Sequence, residues 1–142
     1  MARILFVNSV CNGSTGNICK NLYRLAEESG HECCIAFGRG NRPEGFKCVR
    51  IGNNIDLYSH VLKARMTDGS GFGSASATRK FVEWIEHYQP DIIHMHNIHG
   101  YYLNLEILFE YLKKNPNIKK IWTLHDCWPY SGHCAYYSFS DC

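Results

Sequence analysis

The chain has 142 residues, of which 45% are hydrophobic and 20% charged, and its formal net charge at pH 7 is +2. A chain of this length can bury roughly two-thirds of its unfolded surface, and the composition is that of an ordinary globular protein. Its Lys and Arg residues are scattered rather than striped, which argues against nucleic-acid binding. No apolar run reaches the length of about 18 residues that spans a bilayer, and residues 1–10 carry no signal-peptide pattern. We therefore expect a cytoplasmic protein.

Alternating and periodic apolar residues predict five strands and four helices in the order β-α-β-β-α-α-β-α-β. The predicted strands are Arg3–Asn8, His31–Phe37, Lys47–Ile51, Asp91–Met95 and Lys119–Leu124. The helices are predicted from Ile18, Leu22, Leu25 and Ala26 up to Gly30; from Leu57, Val61 and Leu62 up to Met66; from Phe81, Ile85 and Tyr88 up to Pro90; and from Leu105, Leu108, Phe109 and Leu112. No regular structure is predicted after Asp126. The order favours an α/β fold, a Rossmann-like doubly wound parallel sheet with the first strand at its centre, flanked by the strands that begin near His31 and Asp91.

A glycine- and serine-rich segment, TDGSGFGSAS, separates the second and third helices. Its small side chains are compatible with a mobile loop that moves over a ligand and with a plain connector, and both readings stay open. The eight cysteines do not require disulfides in a chain with a core of this size. Cys19, Cys33, Cys34 and Cys48 are expected to be free thiols that pack as small hydrophobic side chains.

Polar residues cluster where two predicted strands end. His94, His96, Asn97 and His99 follow one, and His125 and Asp126 follow the other. Because a single helix joins these strands, they are parallel and their carboxyl ends share the edge at which open α/β sheets bind ligands. Strand alternation places His94 and His96 on the same face, so two metal ligands are conceivable there, but a hydrogen-bonding role is favoured.

Two further patterns have alternative explanations. The loop after the first strand carries Gly13 and Gly16 just before a helix, which suits either an anion at the helix N-terminus or a tight turn. Near the end of the sequence, a zinc set is conceivable from Cys127, His133, Cys134 and Cys142, but the paired C-x-x-C spacing is absent and no metal is expected. The basic group Lys113, Lys114, Lys119 and Lys120 is explained by a solvated helix end, with attraction to an anionic membrane surface as the alternative.

Three stretches of the chain resemble glycosyltransferase family 4, and most closely its bacterial polysaccharide-building members: GFGSASATRKF, PDIIHMHNIHGYYLNLEILFEYL and TLHDCWPYSGHC. The resemblance covers essentially the whole chain. It implies the N-terminal half of a GT-B fold, in which residues 1–142 form one Rossmann-like domain facing the acceptor. The C-terminal domain, which would carry a basic pair and an E-x7-E motif, is missing from the sequence, so we expect a fragment without activity of its own.

The resemblance also implies roles for individual residues. Gly16, with Gly13, would lie where the backbone approaches the donor diphosphate, and His125 would be the catalytic histidine that contacts the transferred sugar. His96, Asn97 and Asp126 would complete the substrate-binding set. Family members retain the anomeric configuration, and the departing phosphate takes the acceptor proton, so no general base is assigned.

The implied reaction is hexosyl transfer from a nucleotide-sugar donor to a glycan or lipid-linked acceptor in polysaccharide synthesis, without a cofactor. Peripheral association with the inner membrane face is an additional expectation. Two alternatives come from other classes of protein. One is a non-catalytic Rossmann-like module that binds a nucleotide or a partner, and the other is a metal-binding protein built on the Cys and His cluster.

Overall fold

The computed structural model describes residues 1–67, 69–132 and 136. Five strands form one all-parallel sheet: β1 (Arg3–Val10), β2 (Glu32–Arg39), β3 (Cys48–Arg50), β4 (Ile92–Met95) and β5 (Lys119–Trp122). The helices are α1 (Gly13–Glu28), α2 (Asn54–Thr67), α3 (Ala75–Tyr88), α4 (Leu105–Lys114) and the short α5 (Trp128–Ser131). The strand order is β3-β2-β1-β4-β5, so the prediction of a doubly wound sheet with β1 at its centre is confirmed.

The central strand is apolar on both faces because helices cover both faces of the sheet. Leu5 and Val7 point into a core shared with α3 and α4, and Ile4 and Phe6 point into a core shared with α1. In register, Ile4 pairs with Cys33 on one side and with Ile92 on the other. Both neighbours of β1 thus end at the same edge as β1 itself.

The expected free thiols are confirmed. Cys19, Cys33 and Cys34 are buried, Cys48 is half-buried, and none of the four forms a disulfide. Burial raises the pKa of Cys19 and of Cys34 to about 12, so both stay protonated and pack as small hydrophobic groups.

The apolar residues that predict α1 are only partly buried, and Leu22 and Ala26 among them are half-buried against the core. Gly16, Cys19 and Tyr23 are its buried residues, whereas Ile18 and Leu25 are 43% and 60% exposed. Leu25 instead lines a shallow hollow of about 300 Å³ over β1, β4 and β5. The apolar period predicted the helix, and the small residues Gly16 and Cys19 allow it to lie close to the sheet.

The prediction that no regular structure follows Asp126 is wrong, since α5 begins at Trp128 with Pro129 in its first turn and ends at Ser131, just before Gly132, whose φ is +73°. A single turn of helix is too short to show a periodic apolar pattern. Of the conceivable zinc set, only Cys127 lies in the described part; His133, Cys134 and Cys142 lie outside it. Within residues 1–67 and 69–132, no helix is long and apolar enough to cross a membrane.

The glycine- and serine-rich segment packs around one buried side chain, His60 of α2. The His60 ring contacts Ser74 Oγ at 2.9 Å and accepts the Gly73 N–H at 3.0 Å. A Cβ built on Gly73 would lie 2.1 Å from the ring, so only glycine fits there. This packing favours the connector explanation for residues 69–74; Asp68 lies outside the described residues.

Candidate active site

Residues that follow β1, β4 and β5 meet at the carboxyl edge of the sheet, as the sequence predicts. Asn8, which is fully buried, joins two of these strand ends. Its Oδ1 accepts hydrogen bonds from the backbone N–H groups of Ser9 (2.9 Å) and Asn97 (3.3 Å), and its Nδ2 donates to the Val10 carbonyl at 3.0 Å. A satisfied buried amide of this kind fixes the two loops relative to each other.

Asn97 is held at this edge through its backbone. Its carbonyl accepts a hydrogen bond from the hydroxyl of buried Tyr102 at 2.8 Å. The Tyr102 ring lies directly on Gly38 of β2, where a Cβ would come within 2.2 Å of it. The half-buried Asn97 side chain makes no hydrogen bond within the described part of the chain, which leaves its amide available to a ligand.

His96 is buried, with 1% of its surface exposed. Its backbone N–H donates to the Val7 carbonyl, and its carbonyl accepts from the Trp122 indole at 3.0 Å. Its ring stacks on that of His94, 4.4 Å between centroids, as predicted from strand alternation. Desolvation, with smaller contributions from His94 and His125, lowers the pKa of His96 to about 3. The ring is therefore neutral at physiological pH.

His96 orients the half-buried His125 through a contact between ring nitrogens and through ring stacking. Nδ1 of His96 and Nε2 of His125 are 2.9 Å apart, and the two rings stack at 5.1 Å. Nε2 of His96 is buried and has no partner within the described part of the chain. A buried N–H without an acceptor is rarer than a buried acceptor without a donor. This favours His96 with its proton on Nδ1, donating to Nε2 of His125, which leaves Nδ1 of His125 as the donor nitrogen of that ring.

The Asp126 carboxylate bonds His99 and the backbone of Trp128. Its Oδ2 lies 3.2 Å from Nε2 of His99, and its Oδ1 accepts the backbone N–H of Trp128 at 3.1 Å. The Trp128 ring stacks on His99 at 5.0 Å. Desolvation lowers the pKa of His99 despite the carboxylate, so neutral His99 donates from Nε2 to Asp126.

Arg39 brings positive charge to the same edge. It ends β2, and its guanidinium lies near Gly100, where a Cβ would be 3.9 Å from Nη2. Its charge also contributes to the lowered pKa of His99. Arg39 has no salt bridge among the described residues, so its potential is open to an anion.

The glycine loop after β1 begins α1. Gly13 has a φ of +72° and open space around its Cα, whereas Gly16 is buried against the chain itself. A Cβ on Gly16 would lie 2.5 Å from the carbonyl carbon of Cys11. The turn alone thus explains the glycine at position 16. No acidic residue lies in the first turn of α1, and Asn12 does not cap it with its side chain, so its N–H groups can bind an anion.

The predicted hydrogen-bonding role of the histidines is confirmed. His94 Nε2 contacts Thr123 Oγ1 at 2.8 Å, while His96 and His99 contact His125 and Asp126. Three rings that face three different partners do not converge on one point. Among residues 1–67, 69–132 and 136, no three His, Cys, Asp or Glu side chains are placed to hold a metal ion.

Comparison with known proteins decides the family. The model of Glycosyltransferase Family 4 matches residues 15–140. The chain belongs to glycosyltransferase family 4. It is 37% identical over 51 residues to the protein named "Putative colanic acid biosynthesis glycosyl transferase WcaC" of Escherichia coli (strain K12), which covers 33% of this chain and 13% of that relative. The crystal structure of glycosyltransferase VinC in complex with DTDP is 21% identical with a TM-score of 0.49, covering 66% of this chain and 29% of that one. The family 4 chain thus spans less than a third of the length of either protein.

Six residues were predicted for the site of this family 4 chain, and each follows β1, β4 or β5 at the carboxyl edge of the sheet: Gly13, Gly16, His96, Asn97, His125 and Asp126. Asn8, Arg39 and Trp128 were not predicted. Asn8 can be recognised from the sequence as a candidate site residue, because it is the first polar residue after the apolar run of β1. Arg39 and Trp128 have no comparable signal in the sequence.

His96 and Asp126, both predicted to contact the substrate, bond other residues of the protein. His96 is too deeply buried to touch a substrate in this structure, and it contacts His125 instead. Both carboxylate oxygens of Asp126 are engaged, and its side chain is 12% exposed. The groups of the edge that are open to a ligand are His125, the Asn97 amide, Arg39 and the N-terminus of α1.

Proposed function

We propose that this chain is the acceptor-side domain of a retaining glycosyltransferase. The enzyme would transfer a hexosyl unit from a nucleotide sugar to a glycan or lipid-linked acceptor during synthesis of a cell-surface polysaccharide, at the cytoplasmic side of the membrane. Family membership over residues 15–140 supports glycosyl transfer. The observation that carries the proposal is His125, which is half-buried at the ligand edge and oriented by a buried neutral histidine.

In this proposal His125 donates from Nδ1 to a hydroxyl of the transferred sugar. The His96 contact occupies Nε2, so the ring has one direction left in which to bind a ligand. A donor that is already oriented needs no reorganisation as charge develops at the anomeric carbon, which is why such contacts stabilise transition states. His96 acts only through His125 and is a positioning residue.

The donor diphosphate would lie between the N-terminus of α1 and Arg39. Gly13 leaves open space at the helix start, and the N–H groups of the first turn supply partial positive charge. The role of Gly16 in donor binding stays a prediction, since its own backbone contact with Cys11 already requires glycine. Positive potential here would stabilise the leaving group as the glycosidic bond breaks.

On the acceptor side, Asn97 would bind a sugar hydroxyl with its free amide, and Asp126 would orient His99 toward the same space. No side chain is assigned as general base, because a leaving phosphate oxygen can take the acceptor proton. A C-terminal domain would contribute the remaining donor contacts and close the cleft, which excludes water and assembles the site. For this reason we expect residues 1–142 by themselves to be inactive.

The test is an assay of the chain together with its C-terminal continuation against a panel of nucleotide sugars, with membrane lipid extract as acceptor. Sugar transfer that His125→Ala abolishes and Lys113→Ala leaves intact is the expected result. Lys113 is a surface control because it is exposed in the last turn of α4, which leads into the amino end of β5. Tight nucleotide binding without transfer to any acceptor would instead identify a non-catalytic binding module.

A further inference from the structure

A cavity of about 330 Å³ lies where the chain between β3 and α2 meets helix α3. Five of the side chains that line it carry the argument below: Arg50, Asp56, Lys80, Phe81 and Trp84. We call it the β3 cavity. Because β3 is parallel to the other strands, its carboxyl end and this cavity lie at the same edge of the sheet as the candidate active site.

The walls of the β3 cavity are held in place by backbone hydrogen bonds and close packing. The Ile51 N–H donates to the Phe37 carbonyl at 2.8 Å, and Ile51 is buried. Gly52 lets the chain pass close to α3, since a Cβ on it would lie 3.1 Å from the Cβ of Ala77. The cavity is therefore preformed, and its volume is at the lower end of the range for small-molecule sites, which is the size that one sugar ring requires.

One wall of the β3 cavity is aromatic. Phe81 is buried and Trp84 is half-buried, and their rings stack with centroids 6.1 Å apart. Trp84 also stacks on Tyr88, with centroids 5.0 Å apart, so its orientation is fixed. Aromatic surface of this kind packs against the apolar C–H groups of a sugar ring.

The rest of the β3 cavity carries two cations and one carboxylate. Lys80 is exposed and has no hydrogen bond or ion pair within the described part of the chain. Arg50 uses one N–H to bond the Asn54 side chain, which leaves its other donors open. Asp56 accepts the Asn53 N–H with one oxygen and keeps the other for a hydroxyl. The excess of positive charge favours a ligand that carries both hydroxyl groups and a negative charge.

The β3 cavity adjoins the acceptor side of the candidate active site. Ser74, which immediately precedes α3, donates from Oγ to the carbonyl of Tyr101 at 3.3 Å, and Tyr101 lies in the loop that carries Asn97 and His99. Helix α3 packs on the face of the sheet opposite α1, so a chain bound there stays clear of the N-terminus of α1. From β3 to β5 the sheet spans roughly 19 Å, so a sugar in the cavity is not the one that reacts.

We propose that the β3 cavity binds an anionic sugar unit of the acceptor, at a distance from the unit that reacts. The word acceptor rests on the proposed function, whereas sugar binding by the cavity does not require transfer. Lys80 and Arg50 bond the carboxylate or phosphate of the sugar, Asp56 accepts a hydroxyl, and Phe81 and Trp84 pack against the ring. Such a remote contact positions the acceptor for reaction at the other end of the edge.

The experiment is an NMR titration of this chain with methyl glucuronide, with glucose 6-phosphate and with uncharged methyl glucoside. The chain has three tryptophans, so few indole N–H signals are present, and Trp84→Phe identifies that of Trp84. An anionic sugar should shift this signal with a dissociation constant of about 1 mM. The glucoside should bind about tenfold more weakly, because it lacks the charge-assisted bonds. The two anionic sugars distinguish a carboxylate from a phosphate.

Lys80→Gln should weaken binding of the anionic sugar about tenfold, because it removes the cation that has no other partner. The matched control is Arg79→Gln, since Arg79 is the neighbouring exposed cation of α3 and does not line the cavity. Equal loss in both variants would overturn the proposal. So would equal affinity for glucoside and both anionic sugars, or a Trp84 signal that no sugar shifts at concentrations far above the expected constant. Circular dichroism confirms that each variant is folded.

In the complete enzyme the site and the reaction can fail separately. Lys80→Gln should raise KM for an anionic acceptor about tenfold with little change in kcat, whereas His125→Ala should lower kcat. Transfer by Lys80→Gln with the wild-type acceptor KM would overturn the β3 cavity as an acceptor site and leave the transfer reaction intact. Sugar binding in the titration without transfer to any acceptor would overturn the proposed function and support the cavity as a sugar-binding site.

Discussion

Acidification should destabilise this protein through His96, and His96→Leu should remove that share of the effect. The folded state holds the pKa of His96 at about 3, whereas in the unfolded chain it returns to roughly 6.5. Between these values the unfolded state binds a proton that the folded state does not. The stability contribution is therefore complete above pH ~6.5 and is lost progressively as the pH falls toward 3.

At pH 5 the loss from this one side chain is about 2 kcal/mol, and any folded-state pKa below about 4 gives nearly the same figure. At pH 7.5 it is close to zero. His60, His94 and His99 also have lowered pKa values because they are desolvated, and they act in the same direction. They remain in the variant, so the comparison isolates His96.

The assay is urea denaturation of wild type and His96→Leu at pH 7.5 and at pH 5. Leucine keeps the site apolar and removes both the His125 contact, worth about 1 kcal/mol, and the unpartnered Nε2. The difference in unfolding free energy between variant and wild type should shift by about 2 kcal/mol in favour of the variant at pH 5. Met95→Leu is the control, since Met95 is 3% exposed and carries no titratable group. If the difference in unfolding free energy between variant and wild type is the same at both pH values, His96 is not buried and neutral in the folded protein.

Three further predictions concern the site, the connector and the chain as a whole. In the complete enzyme, His125→Ala should lower the transfer rate about a hundredfold, roughly 3 kcal/mol, with little change in donor affinity; a folded variant with wild-type turnover would contradict the catalytic role. Gly73→Ala should cost about 2 kcal/mol of stability in thermal melts, because its Cβ would meet the His60 ring at 2.1 Å. Gly69→Ala is the control and should cost less, because the nearest atom to its Cβ is Thr67 Oγ1 at 3.1 Å. Residues 1–142 alone should bind nucleotide sugars weakly and transfer none, so micromolar affinity by calorimetry would show that the donor site does not depend on a second domain.

The sequence by itself determined the order of the five strands and of the first four helices, and the edge of the sheet at which the candidate site residues lie. Strands and helices have different apolar periods, and these are local properties that short stretches of chain record. Parallel connection of β4 to β5 through one helix then brings Asn97 and His125 to one edge. Handedness of the crossovers leaves few other arrangements for a sheet of this kind.

Only the tertiary structure decided which side chains touch. His96 and His125 are 29 positions apart, and the pairing of their nitrogens depends on strand register and on the rotation of two rings. Asp126 is adjacent to His125 in sequence, yet its carboxylate turns to His99. Adjacent residues leave a strand end in different directions, so sequence proximity does not predict contact.

Packing also decided which faces of two helices, α1 and α2, are buried. The apolar period of α1 fits several orientations, and the close approach of Gly16 to Cys11 selects one that exposes Leu25. On α2, apolar residues lie on both sides, so no pattern could show which side faces the protein. The buried His60 settles that question, because its hydrogen bonds to the following loop fix one face inward and leave Leu62 and its neighbours outside.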